Sequence, residues 1–305
     1  MCGSPCTWGV RCDGGAGVVR VEALRYRDIR QRTLSMRQGP EGWIPAVPVA
    51  SLHERLGFLE QLSYPDDSLN RPLTEWYMER DDAPILRYLY RNFKPTRHLE
   101  FGTWEGTGTV YCLLECGATV WTVNLLAGEL TAEGDHAYYH RQRTRRFDRK
   151  DLSKRESERR FLQELPDAVA TGPSADVETV VSDSVGSIGR FYLEAGLGHR
   201  VCQIYSDSRE WDTSAYPHGF FDSAFIDGGH EASVTESDTL KSLELVRTGG
   251  LVMWHDYCPD ASVRSACGST VGVGRAIRHL QRTLEGAMSD LFWVEPSWLL
   301  VGIRA

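Results

Sequence analysis

Between Leu52 and Phe93 apolar residues recur at helical spacing, and from Pro95 onward short apolar runs alternate with helical stretches. The run DDAPILRYLYRNF sets the first pattern: Asp82 suits an N-cap, Pro84 a first turn, and Ile85, Leu86, Tyr88, Leu89 and Phe93 one apolar stripe. Residues 1–50 mix Gly, Pro and Arg without sustained periodicity, so they are expected to be partly disordered or draped on the surface. The extension 1–94 thus reads as partly disordered and then helical.

Pro95 ends that helix, and the pattern changes. RHLEFGT reads as a short buried strand entering a Gly-rich turn, and GTVYCLLECG as the helix behind it, stopped by Gly117. TVWTVNLL, RVCQIYSDS, FFDSAFIDGG and GGLVMWHDY read as four more strands, with a helix over Ser233–Leu245 before the last. Strands alternating with helices imply right-handed crossovers and a mainly parallel sheet. The end differs: LFWVEP and SWLLVGIR are separated by a Pro-Ser link too short for a crossover, which predicts an antiparallel hairpin. The predicted fold class is α/β, a domain over 95–305 preceded by a helical extension. A long stretch after the second strand is read as an insertion at about 128–185. Within it, residues 141–160 hold ten Lys or Arg against four Asp or Glu, expected to be a solvated or disordered segment.

Composition narrows the function. The 305 residues carry a net charge of -8, which argues against a general nucleic-acid binder, since phosphate contacts need surplus basic side chains. No apolar run approaches the ~20 residues that span a bilayer. The start of the chain lacks the apolar core of a secretory signal, so a cytoplasmic location is expected and no membrane partner. Of the eight cysteines, Cys2, Cys6 and Cys12 fit no usual zinc spacing, and reduced thiols are expected throughout. Whether the chain forms a homo-oligomer is left open.

The chemistry-bearing segment is Glu100-Phe101-Gly102-Thr103-Trp104-Glu105-Gly106-Thr107-Gly108. Glycines let the main chain turn sharply between strand and helix, and the helix start offers N–H groups and a positive dipole end to a ligand. The spacing is E-x-G-x-x-x-G-x-G rather than the dinucleotide G-x-G-x-x-G. It resembles the first motif of class I S-adenosylmethionine-dependent methyltransferases, over about Arg97 to Ala305. FIDGGH followed by GGLVMWHDY is similar to the branch of macrocin-type O-methyltransferases and cephalosporin-hydroxylase-like proteins. The resemblance implies a Rossmann-like sheet with a reversed last strand, S-adenosylmethionine as cofactor, and a small-molecule hydroxyl acceptor such as a sugar or natural product. It implies that Glu100 reaches the cofactor's amino group, that Gly102, Thr103 and Gly106 line its methionine and ribose, and that Asp207, with Ser208 beside it, meets the adenine. The acidic residue usual at the end of the second strand is Asn124 here, so either Asn124 or Glu129 would serve the ribose.

Ligands of open α/β sheets lie beyond the C-terminal strand ends. There the sequence supplies Asp227 and His230 after the fourth strand and His255, Asp256 and Tyr257 after the fifth. Two roles fit. Asp227 and Asp256 could bind magnesium or another divalent cation, with His230 or His255 completing the shell. Alternatively His230 or His255, held by an Asp, is a general base. Both lead to methylation on oxygen. Trp104, Trp254 and Tyr257 are candidate apolar walls, and Arg209 and Trp211 could border the adenine. The competing readings are a non-catalytic binding module and a nicotinamide-dependent oxidoreductase, the latter disfavoured by the glycine spacing.

Overall fold

A computed structural model describes residues 37–38, 42–64, 66–76, 78–125, 188–267 and 270–305. The whole insertion with its basic stretch, Glu129 and the first three cysteines lie outside the described residues. The strands are β1 (Arg37–Gln38), β2 (Pro45–Pro48), β3 (Arg97–Phe101), β4 (Thr119–Asn124), β5 (Val201–Tyr205), β6 (Phe221–Ile226), β7 (Val246–Trp254), β8 (Met288–Glu295) and β9 (Leu300–Arg304). They form one sheet in the order β1-β2-β8-β9-β7-β6-β3-β4-β5. The run β7-β6-β3-β4-β5 is parallel, and β9 lies antiparallel between β7 and β8. This is the mainly parallel sheet that the alternation predicted, closed by the antiparallel hairpin that the Pro-Ser link predicted, and together they make the Rossmann-like sheet that the resemblance implied.

The helices are α1 (Leu52–Leu56), α2 (Asp66–Leu69), α3 (Ala83–Phe93), α4 (Thr107–Glu115), α5 (Arg190–Glu194), α6 (Ala232–Leu245), α7 (Ala261–Ala266), α8 (Thr270–His279) and α9 (Gln281–Ala287). Every residue of β6 is buried, as expected of a central parallel strand covered on both faces. Its polar residues are satisfied. The Asp222 carboxylate accepts from the Thr96 and Arg97 N–H groups at 2.9 Å and from Arg247 Nε at 2.8 Å. Ser223 Oγ lies 2.7 Å from His98 Nδ1, whose ring is kept neutral by burial, which lowers its pKa to about 3.

Helix α3 buries Ile85, Leu86, Tyr88, Leu89 and Tyr90 and ends where Lys94 turns left-handed (φ 52°) before Pro95. Two elements depart from the sequence reading. Pro45–Pro48, inside the stretch expected to be irregular, forms β2 and adds to the sheet beside β8. Its flanking prolines suit a sheet margin, and Ile44, Ala46, Val47 and Val49 are buried by it. Asp82 sits at the N-cap of α3 but makes no side-chain cap bond, because its carboxylate is used elsewhere. The free thiols among the described residues are Cys112, Cys116, Cys202, Cys258 and Cys267. No helix among the described residues is long and apolar enough to cross a membrane.

Candidate active site

Register brings the strand tips together. The Asp227 N–H donates to Phe101 O at 2.8 Å, the His255 N–H to Ile226 O at 3.0 Å, and the Gly102 N–H to Val123 O at 2.9 Å. Each residue just past β3, β6 or β7 is thus tied to its neighbour strand, and side chains far apart in sequence share one pocket. Ile226, Asp227, Gly228, Gly229, His230, Thr235, His255, Asp256 and Val273 line it.

Inside, His230 Nε2 lies 2.7 Å from Asp256 Oδ2. His255 Nδ1 lies 3.2 Å from Asp227 Oδ1 and 3.4 Å from Asp256 Oδ2. Asp256 adopts φ 57°, uncommon for a residue other than glycine, and so turns its carboxylate toward both imidazoles. Asp227, His230 and Asp256 each offer one ligand atom, all within 4.8 Å of one another. Four of the five polar residues that the sequence supplied at these two strand tips therefore converge. Tyr257 instead packs in the hydrophobic core, as does Trp254, whose Nε1 donates to Thr239 Oγ1 at 2.8 Å.

The charges follow from this packing. Burial disfavours the Asp256 carboxylate, but His255 and His230 outweigh it and hold Asp256 well below the usual carboxylate range. Asp227 moves up, through burial and only partly offset by His255. Burial also opposes charge on His230, yet the Asp256 contact lifts it to about 8. His255 rises well above an ordinary imidazole because the charges of Asp227 and Asp256 override the cost of its burial.

The sequence offered Asp82 as a helix cap and not as a site residue. Its Oδ2 lies 3.2 Å from His255 Nε2, and its Oδ1 accepts from the Trp298 N–H at 3.1 Å. Both ring nitrogens of His255 therefore face carboxylates. A local pattern reads Asp before an apolar helix as a cap, and nothing in the chain near residue 82 announces a partner at 255.

The glycine turn is built tightly. Gly102 has φ 97°, and a Cβ there would be driven into the Asp227 backbone carbonyl. Gly106 has φ 88° and starts α4 with no side-chain cap; a Cβ there would meet Tyr192 Cδ1 at 2.8 Å. Thus both glycines are required by close approach of the protein's own chain. Thr103 is buried, its Oγ1 sharing a 2.6 Å hydrogen bond with Thr122 Oγ1 and accepting from Gln203 Nε2 at 2.9 Å. Glu100 is buried beneath α4, where the Thr109 hydroxyl donates to it, and burial raises its pKa to about 8. Asn124 Oδ1 accepts from the Trp104 N–H at 3.0 Å and so braces the turn. Trp104 itself is 45% exposed.

Past the C-terminal tip of β5, the last strand in the order, Asp207 accepts from Arg209, through its N–H at 2.9 Å and Nη2 at 2.7 Å. Ser208 O and Arg209 O accept from Lys241 Nζ, the second at 2.9 Å. Trp211 is fully buried, edge-on to Phe101 with centroids 6.0 Å apart. It belongs to the core rather than to a ligand rim.

The family described as "Methyltransferase domain" matches residues 99–257, just over half of the chain. The chain belongs to this family. Among solved structures, it is similar to the O-methyltransferase TomG from Streptomyces achromogenes, involved in tomaymycin synthesis and solved with SAM (16% identity, 84% of this chain and 88% of that one, TM-score 0.36). It is also similar to the O-methyltransferase from Bacillus cereus in complex with SAH (16% identity, 80% and 93%, TM-score 0.38). A third similar structure is the SAH-bound methyltransferase PaMTH1 from Podospora anserina (13% identity, 79% and 82%, TM-score 0.39). No curated protein sequence matches it.

Proposed function

We propose that this chain transfers the methyl group of S-adenosylmethionine to a hydroxyl oxygen of a small molecule such as a sugar or natural product. The observation that carries the reading is the convergence of Asp227, His230, His255 and Asp256 beside the Gly102 turn of a methyltransferase-family sheet. S-adenosylmethionine supplies a methyl group already activated on a sulfonium. The protein then has to align, desolvate and accept a proton.

The cradle for the cofactor is the turn Glu100–Gly108, which leads into a helix start that carries no side-chain cap. Gly102, Thr103 and Gly106 shape that turn, Asn124 braces it from β4, and Asp207 and Ser208 border the adenine end. Glu100, buried beneath α4 and bonded to Thr109, supports the turn from below rather than reaching the cofactor's amino group as the resemblance implied. In the acceptor half, Asp256 holds His230 by one ring nitrogen, which leaves the other to take the hydroxyl proton. His255, itself held by Asp227, fixes the position of Asp256.

A second reading is favoured by the ligand spacing of Asp227, His230 and Asp256. This donor set, two hard carboxylates and one imidazole, suits magnesium or manganese. A divalent cation held there would lower the pKa of a bound hydroxyl. Within the family, FIDGGH and GGLVMWHDY support the macrocin-type branch.

Calorimetry with S-adenosylhomocysteine tests the cofactor. A labelled methyl donor with a panel of catechols, phenols and sugars tests the acceptor, run with magnesium, with manganese and with a chelator. Binding of the product, with label moving to a hydroxyl, is expected. No binding of either cofactor form would overturn the reading. Turnover that survives the chelator selects the base, and turnover abolished by it selects the cation.

A further inference from the structure

Asp82 lies outside the family-matched segment, in the helical extension, 173 residues from His255. It is fully buried, yet it neither caps α3 nor pairs with a basic side chain of its own helix. Both carboxylate oxygens are committed. Oδ1 is anchored by the Trp298 N–H, in the link between β8 and β9, and Oδ2 is aimed at His255 Nε2. A buried carboxylate is costly unless its hydrogen bonds are filled, and here each oxygen has a partner.

We propose that Asp82 is a positioning residue of the candidate active site, one that fixes the His255 ring so that Nδ1 faces Asp227 and Asp256. An imidazole can turn over about its Cβ–Cγ bond, exchanging Nδ1 with a carbon. With acceptors at both nitrogens, only one of the two settings makes both hydrogen bonds. In the turned setting a C–H would face Asp227, and the two strand-tip carboxylates would lose the group that spans them. Oriented in this way, His255 keeps Asp256 where His230 also reaches it. The helical extension and the terminal hairpin thus both contribute to a site otherwise built from the tips of β6 and β7 and from α6 and α8. The geometry stands alone, whereas its catalytic consequence rests on the methyltransferase reading.

The test is nitrogen-15 NMR of the full chain with labelled histidine, the His255 signals being assigned from a His255→Gln sample. Wild-type protein should show two hydrogen-bonded, slowly exchanging His255 ring protons, one on each nitrogen. Asp82→Asn has a single carbonyl for both the Trp298 N–H and His255 Nε2, so the Nε2 proton should disappear or move strongly. In that variant S-adenosylhomocysteine affinity should stay within about twofold, while methyl transfer to panel acceptors should fall about tenfold or more in kcat, as for loss of an orienting partner. A wild-type spectrum with no hydrogen-bonded Nε2 proton would overturn the proposal without any variant. So would an Asp82→Asn protein whose ring signals match wild type, even if it melts earlier. Failure of the wild type to bind S-adenosylhomocysteine would count against the methyltransferase reading only, because the ring signals are recorded without cofactor.

Discussion

Glu100→Gln should make this protein more stable at neutral and alkaline pH, although it removes the acidic residue of the glycine turn. Glu100 is buried, with the Thr109 hydroxyl donating to it, and burial raises its pKa from 4.5 to about 8. The unfolded chain releases the Glu100 proton near its ordinary value, so between those limits the folded state holds a proton that the unfolded state has lost. The stability that Glu100 contributes is fully present below pH 4.5 and is lost as pH rises through about 8. Each pH unit in that window is worth about 1.4 kcal/mol, so the deficit at about pH 7.5 reaches roughly 4 kcal/mol as an upper bound. Glutamine has nearly the same shape, still accepts from Thr109, and does not titrate. Urea unfolding of both proteins from about pH 4.5 to about pH 7.5 should therefore give curves that meet at the acid end and separate steadily, with the variant the more stable. Every other titrating group is common to the two proteins and cancels in the difference. A gap that stays constant within about 1 kcal/mol across that range would refute the argument, for Glu100 would then be ionised in the fold.

Three other outcomes follow from the same geometry. Gly102→Val should cost more than about 3 kcal/mol, because a left-handed residue and a collision with the Asp227 backbone cannot both be relieved; thermal melts will register it, and a Tm equal to wild type would count against the turn as described. Asp256→Asn should keep the backbone, since Asn tolerates the left-handed region, and should spare S-adenosylhomocysteine binding while abolishing methyl transfer; unimpaired turnover would remove Asp256 from the chemistry. His230 should titrate near 8 by NMR and fall toward 6.5 in Asp256→Asn. Its pairing contributes stability below pH 6.5 that is lost as pH rises through about 8, about 2 kcal/mol at most. A titration unmoved by the substitution would deny that Asp256 raises it.

The order of elements was legible because periodicity is a local property. Alternating apolar runs gave the five parallel strands, and the short Pro-Ser link gave the reversed β9. The position of Asp227 and Asp256 at neighbouring tips was likewise readable from strand ends, and the pocket contains both. Tertiary structure decided what each polar group meets. Gly102 and Gly106 read as space for a ligand, yet their missing side chains admit Asp227 and Tyr192 of the protein itself. Asp82 read as a helix cap, and its carboxylate went instead to His255 and Trp298. The strand Pro45–Pro48 had no periodicity of its own and exists because β8 and β1 offer it partners. A pattern in sequence encodes which face of an element is apolar. The partner of a buried carboxylate is set only when distant segments close on one another, because that contact carries no repeat along the chain.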